Sequence, residues 1–172
     1  ETTGKPVRLA DVVALDSTTN AEIQLGSPST RSDGTFTIQV PDARTFTLGV
    51  LSSTSRNVTA VDLEVRDTAA GSIYMVEFNN PADGQPFLSS ASAGTVAVAD
   101  LTIPVTPTAT RASAPFSIMD AAMDEANLVS SLTGSVLPRL SFLWRVDLTV
   151  GSFFEQTGGP SGGAAITLKG GN

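Results

Sequence analysis

The alternation of apolar and polar residues along the first hundred positions is typical of short β-strands. Phe36, Ile38 and Val40 alternate with polar residues, and so do Val61 and Val65 with their neighbours. A period of two places successive side chains on opposite faces of a strand, so we expect one face of each segment to be buried. The pattern predicts strands over residues 6–15, 21–25, 35–40, 45–51, 61–66, 73–78 and 95–103.

Asp33-Gly34 stands just before one of these strands and predicts a tight turn. Glycine readily adopts the positive φ that such turns require. A calcium loop would need further oxygen ligands at alternate positions, but Phe36 and Ile38 stand there instead. We therefore expect a turn and no calcium site.

The period changes after residue 112. Phe116, Met119, Met123 and Ala126 recur at helical spacing, behind a proline at position 115 that suits the first turn of a helix. The sequence predicts one helix over residues 113–129, with the helical region closed by a glycine at 134 and a proline at 138. Further short strands are predicted over residues 140–144, 148–150 and 164–168.

Together these segments predict a mostly-β fold with one helix in the C-terminal half. Strands that follow one another at short spacing are typical of an immunoglobulin-like or transthyretin-like antiparallel β-sandwich. The 172 residues suffice for one domain with an appendage. We expect a sandwich over residues 1–107 and a helix with additional strands over residues 108–172.

Composition excludes several classes of function. The net charge is −7 and the ten basic residues are scattered, so we expect no nucleic-acid partner. No apolar run is long enough to span a bilayer, so no membrane span is predicted. The chain has no cysteine and no histidine, which excludes thiol catalysis, disulfides and the usual structural zinc sites.

Asp120, Asp124 and Glu125 form an acidic cluster on one side of the predicted helix. Carboxylates bind hard cations such as calcium, but a good site needs six or more converging oxygens. A solvated helix face is the simpler interpretation. We therefore expect no metal there.

Asp62 and Glu64 share one face of a predicted strand, as paired acid and base carboxylates would. Arg66 lies on the same face. An exposed row of ordinary polar residues is the preferred interpretation, and no catalytic role is predicted for it.

Two short motifs also have simple interpretations. Gly159-Pro-Ser161-Gly-Gly163 matches the G-x-S-x-G pattern of serine hydrolases, but the nucleophile needs a histidine that the chain lacks, so we expect a loop. Asn57-Val58-Thr59 is a glycosylation sequon, which predicts an exposed loop if the source glycosylates its proteins.

Trp144 with Phe142 and Phe153 could form an aromatic platform for a ligand, although aromatic side chains more often fill the core. The sequence thus predicts no catalytic, cofactor-binding or metal-binding residue. On its own the chain is not expected to be an enzyme.

Two parts of the chain resemble a known architecture. Residues 6–41, with Thr30-Arg-Ser-Asp-Gly-Thr-Phe-Thr-Ile-Gln-Val-Pro41, resemble carboxypeptidase regulatory-like (transthyretin-like) β-sandwich modules. Arg111-Ala-Ser-Ala-Pro-Phe-Ser-Ile118, Leu137-Pro-Arg-Leu-Ser-Phe-Leu-Trp144 and Gly151-Ser-Phe-Phe154 follow. This order resembles secreted bacterial zinc metallopeptidases, in which such a sandwich precedes an R-A-x-A-P-F-x-I helix, a P-P-L-x-V-x-W strand and a G-x-Y-Y segment.

In those proteins an H-E-W-G-H zinc site follows on a helix, at about the position where Gly170-Gly-Asn172 stands here. The histidines are absent, so the resemblance transfers no catalytic residue to this sequence. It implies either the N-terminal part of a longer protein or a relative without the peptidase half. Members of the group also carry a strand before the position of Glu1, and a sandwich without it would expose an open edge.

Three hypotheses of function remain. The first is a non-catalytic, extracellular or cell-surface interaction module, in its sharper form a filament subunit that self-assembles through open strand edges. The second is the N-terminal, non-catalytic part of a secreted zinc metallopeptidase. The third is a carbohydrate-binding sandwich, which needs exposed aromatic side chains in a row, with Tyr74 and Trp144 as candidates. In the first, the partner is another protein or a second copy.

Overall fold

The computed structural model describes residues 4–56, 61–67, 71–89, 98–104, 111–135, 137–149, 151–156 and 163–170. This part of the chain is mostly β with one helix, which confirms the predicted fold class. The elements are β1 (Asp11–Asp16), β2 (Thr45–Leu51), β3 (Leu63–Arg66), β4 (Met75–Phe78), β5 (Phe87–Leu88), α1 (Ala114–Thr133), β6 (Leu140–Trp144), β7 (Phe153–Glu155) and β8 (Ala164–Leu168).

The first sheet is antiparallel, with β2 at its centre. β1 pairs with β2 along one edge, and β4 and β5 pair with it along the other. Phe46, Leu48 and Val50 alternate along β2 and are buried, as their spacing predicts. Residues 21–30 cover the outer edge of β1. The Val12 amide donates to the Pro28 carbonyl, and the Ile23 amide donates to the Ala14 carbonyl.

The second sheet has the order β3-β6-β8-β7, and here the structure departs from a purely antiparallel sandwich. β3, β6 and β8 run parallel, and only β7 is antiparallel to its neighbour within this described sheet. A parallel pair requires a crossover connection, which a helix commonly provides. α1 lies in the connection between β3 and β6 and packs against β3.

Residues that follow β2 connect the two sheets. The Thr54 amide donates to the Leu63 carbonyl at 2.9 Å, and the Val65 amide donates to the Ser52 carbonyl at 2.8 Å. β3 therefore touches the first sheet on one side and β6 on the other. The second sheet combines β3, from the predicted sandwich region, with β6, β7 and β8 from the predicted extension.

The main core lies between α1 and the second sheet. Its buried residues include Leu63 and Val65 of β3, Phe142 and Trp144 of β6, and Met119 of the helix. Each such side chain stabilises the fold by about 1.5–3 kcal/mol when it is fully buried. A smaller cluster in the first sheet is formed by Ala14, Phe46, Leu48 and Phe87.

α1 extends four residues beyond the predicted end, because no helix-breaking residue occurs before Gly134. Gly134 adopts the left-handed conformation (φ 69°), and its amide donates to the Ser130 carbonyl at 2.9 Å. Within the described residues, no helix combines the length and apolarity needed to cross a membrane.

Four predicted strands do not form ladders where they are described. Residues 21–25 make two single bridges, Glu22 with Leu15 and Leu25 with Gln39. Residues 35–40 make one bridging pair, Gln39 with Leu25. Residues 98–103 and 148–149 are not in strands, while residues 95–97 and Val150 lie outside the described residues. Alternation indicates which side chains face inward, but a ladder also requires a neighbouring backbone at hydrogen-bonding distance.

Candidate functional site

β7 forms one edge of the second sheet. It pairs with β8 on one side, and no other described strand lies beyond it. Phe154, at the centre of β7, is 61% exposed. An edge strand presents unpaired backbone N–H and C=O groups, and an apolar side chain beside them favours the binding of another strand.

The position of β7 is set by β8, which lies between β6 and β7. Phe154 pairs with Ile166, and Ile166 pairs with Phe142 of the core strand. This row places Phe154 on the side of the sheet that faces α1. Gly163 comes directly before β8 and lies close to the backbone before β6. A Cβ at that position would collide with the Arg139 carbonyl oxygen.

The opposite face of the second sheet holds a buried charged cluster around Glu64. The Glu64 carboxylate is fully buried, and the Ser141 hydroxyl donates to its Oε1. Arg139 Nη2 lies 2.8 Å from Oε2, and Arg66 Nε lies 2.8 Å from Oε1. The prediction of an exposed polar row is therefore wrong for Glu64, since the side chain of Arg139, 75 residues away in sequence, reaches it.

Asp62 takes part only at the margin of this cluster. Its side chain is 43% exposed, and its Oδ1 lies 3.6 Å from Arg139 Nε. Two carboxylates used as acid and base would have to face a substrate, but the Glu64 carboxylate faces two guanidinium groups. The geometry suits an ion-pair cluster that holds β3 to β6, rather than catalysis.

Asp11 forms a second buried polar cluster, beside the first sheet. Its carboxylate accepts hydrogen bonds from the Ser55 hydroxyl and the Arg56 amide, each at 3.0 Å. Burial raises the pKa of the Asp11 carboxyl above its ordinary value, although hydrogen bonds from Ser53, Arg56 and Ser55 lower it in part. No sequence pattern marks Asp11, because it stands as one polar residue at the start of a strand.

The acidic cluster of the helix forms ion pairs with an arginine of the same chain. Arg8 Nη2 donates to Asp124 Oδ1 at 2.8 Å, and Arg8 also bonds to Asp120. These hydrogen bonds raise the pKa of Arg8. Glu125 is exposed. Two of the three carboxylates thus connect α1 to the N-terminal segment and are not simply solvated.

The two candidate aromatic residues of a carbohydrate platform pack against each other. The rings of Tyr74 and Trp144 lie 5.7 Å apart, and the Tyr74 hydroxyl donates to the Trp144 carbonyl at 2.7 Å. Burial, helped by Asp67, raises the pKa of Tyr74 to about 12. Trp144 and Phe142 are buried in the core, and the side chain of Phe153 lies outside the described residues.

Two other predicted features cannot be placed. The sequon at Asn57–Thr59 lies outside the described residues, and so does the serine of the Gly159–Gly163 motif. Within the described residues, no group of three or more histidine, cysteine or carboxylate side chains could hold a metal ion. The edge of β7 is therefore the candidate site for binding another polypeptide.

Comparison with known proteins finds no match: no family model, no curated protein and no solved structure resembles this chain closely enough to indicate a family.

Proposed function

We propose that this chain is the non-catalytic N-terminal part of a secreted zinc metallopeptidase and that it contributes the strand edge β7 as a binding surface for extended polypeptide. The observation that carries the proposal is the arrangement of three separate segments. Those that resemble the metallopeptidases by sequence become α1, β6 and β7. They belong to one unit, because β6 and β7 lie in the same sheet on either side of β8 and α1 packs against β3 of that sheet. Segments that belong to one architecture would be expected to fold together in this way.

The strands of the second sheet have defined directions within this unit. β6 and β8 are parallel, β7 is antiparallel at the edge, and α1 covers the face formed by Leu63 and Phe142. In the resembling proteins the zinc-binding helix follows the position reached by β8. A catalytic segment in that position would start from the strand that is hydrogen-bonded to β7.

Zinc itself does not fit the residues of this chain. The sequence contains no histidine or cysteine, and the described carboxylates offer no cluster for a metal. The catalytic residues of the proposed peptidase would all lie outside this sequence. The contribution of this chain would be to bind and orient polypeptide.

The edge β7 suits this role because an extended peptide can add itself to an exposed strand through backbone hydrogen bonds. Such bonds are independent of the peptide's sequence, and Phe154 adds an apolar contact that is already exposed. The edge would therefore bind extended polypeptides of many different sequences.

The first test is the intact mass and metal content of the protein purified from its source. The proposal predicts a polypeptide larger than 17.7 kDa with a His-Glu-x-x-His segment after Asn172 and one bound zinc per chain. A mature, metal-free protein of 17.7 kDa would contradict it.

Self-assembly is the second candidate function, and the same exposed edge favours it. Two β7 strands could pair across copies, and the chain would then be an extracellular structural subunit. The distinguishing result is a mature chain of 17.7 kDa that forms large particles by light scattering.

A pair of matched variants tests the edge in either case. Phe154→Lys introduces a charge on β7, whereas Leu132→Lys introduces the same charge on α1, where Leu132 is 77% exposed. We expect Phe154→Lys to reduce peptide binding or assembly and Leu132→Lys to leave both unchanged. Equal effects of the two variants would exclude the edge.

A further inference from the structure

A large groove lies between the first sheet and the first half of α1, away from β7. Its volume is about 1870 Å³, whereas small-molecule sites usually have roughly 300–1,000 Å³. None of its described lining residues belongs to β6, β7 or β8. The groove is therefore larger than a typical small-molecule site and distinct from the surface discussed above.

Two segments of the chain form walls of this groove. Residues 35–40 contribute Phe36, Ile38 and Val40, and residues 98–104 contribute Leu101 and Ile103. All five side chains are half-buried, and they alternate with exposed residues along each segment. Side chains patterned for a core are thus left partly open to solvent.

The backbones of the two walls are not paired with each other. No backbone hydrogen bond joins residues 35–40 to residues 98–104 in the described part of the chain. Leu25 and Leu88 also line the groove, and they are 60% and 70% exposed. A groove with alternating apolar walls suits an extended polypeptide, whose own side chains alternate at about 3.3 Å per residue.

The charge of the groove indicates what kind of polypeptide fits. Its described lining includes five aspartates and one lysine, with Asp33, Asp42 and Asp100 all exposed. Asp120 and Asp124 share the single guanidinium group of Arg8. The whole chain carries a net charge of −7, which adds to the negative potential.

We propose that this groove binds an extended polypeptide segment with apolar side chains at alternate positions and lysine or arginine between them. The apolar side chains enter between the two walls, and the basic side chains face the aspartates of the rim. The interaction goes beyond the proposed function, because it uses a different surface and selects for charge.

The test is a binding titration with a fluorescent peptide of about nine residues that alternates valine and lysine. A matched peptide carries glutamate at every lysine position. We expect saturable 1:1 binding of the lysine peptide that weakens as salt is added, because exposed charges are screened over about 10 Å at 0.1 M salt. Equal binding of the glutamate peptide, or no saturable binding, would overturn the proposal.

Two variants locate the binding site. Leu88→Lys places a positive charge on the rim and should weaken binding of the lysine peptide roughly tenfold, about 1.4 kcal/mol. Leu132→Lys makes the same change on α1 and should leave the affinity unchanged. Both positions are at least 70% exposed, so both variants should fold, which circular dichroism would check.

Two further results would overturn the proposal. If the affinity of Leu88→Lys equals that of the unchanged protein, the peptide binds elsewhere. If the protein alone forms a concentration-dependent dimer that Leu88→Lys abolishes, a second copy of the chain occupies the groove.

Discussion

Glu64 is the residue at which charge and burial are most closely connected in this protein. Its carboxylate is fully buried and faces Arg66 and Arg139, whose side chains are 20% and 31% exposed. Removing one member of a buried ion pair is costly, because the remaining charges lose their partner in a region that water reaches poorly.

We expect Glu64→Gln to lower the free energy of unfolding by about 3 kcal/mol, since both arginines then face a neutral amide. Urea unfolding monitored by circular dichroism would measure the loss. Glu155→Gln is the matched control, because Glu155 lies in the same cross-strand row but is exposed. A loss no larger than that of the control would show that the cluster behaves like surface ion pairs.

Asp11 predicts a dependence of stability on pH. Its native pKa is raised above the ordinary value of 3.8, so the native state binds the proton more tightly than the unfolded chain. The stabilisation from this proton is complete below pH 3.8 and is lost as the pH rises through the native pKa. We expect the unchanged protein to gain stability relative to Asp11→Asn as the pH falls from about 7 to about 4, measured by urea unfolding.

Asp33→Asn provides a control of opposite sign. Hydrogen bonds from Thr35 lower the pKa of Asp33, so its contribution is present above pH 3.8 and is lost as the pH falls through the native pKa. If both variants shift the pH dependence in the same direction, the effect of Asp11 is not due to its own protonation.

At the scale of elements, the end of α1 depends on a single backbone conformation. Gly134 has φ 69°, and a Cβ there would meet no atom within 4 Å, so any cost of a side chain is conformational. We expect Gly134→Ala to lower the free energy of unfolding by about 1 kcal/mol. The measurement is thermal or urea unfolding.

Gly151→Ala is the matched control for this prediction. A Cβ at Gly151 also meets no atom within 4 Å, and its φ is not positive. Alanine there should cost nothing, since it restricts the unfolded chain without native strain. Equal losses in the two variants would contradict the role of the helix end.

The local elements were more predictable from sequence than their partners. The helical spacing of Phe116, Met119 and Met123 and the alternation of Phe46, Leu48 and Val50 are properties of neighbouring residues, and both predictions are confirmed. The parallel pairing of β3 with β6 depends on which distant strand arrives beside it. A period of two is the same for parallel and antiparallel partners.

The candidate site shows the same limit. Alternation places Glu64 and Arg66 on one face, but it does not show whether that face is covered, and Arg139 covers part of it. Trp144 was expected in the core because aromatic side chains are usually buried, and it lies there. That no other described strand pairs with β7 beyond β8 follows from strand order, which local sequence does not contain.

At the scale of the whole molecule, the second sheet joins the two halves of the chain. β3 contributes Leu63 and Val65 to a core completed by α1 and β6. A fragment of residues 1–107 would lack these partners and would expose both side chains. We therefore expect the full chain to unfold in one cooperative transition and the fragment to unfold without cooperativity, as followed by urea titration and dye binding.

A cooperative transition of the isolated fragment, at the midpoint of the full chain, would contradict this expectation. It would show that the first sheet and β3 form an independent unit. The boundary near residue 107, which sequence predicts, would then mark a true domain.

The pairing of β3 with β6 also has a consequence for the time course of folding. Glu64 and Ser141, which meet in this pair, are separated by 77 positions. Ribosomes add about 5–20 residues per second, so β6 is made roughly 4–15 s after β3. During that interval β3 lacks the strand that completes its sheet, and pairings so distant in sequence form slowly. Until β6 is made, the side of β3 that later pairs with it is open to pairing with neighbouring chains.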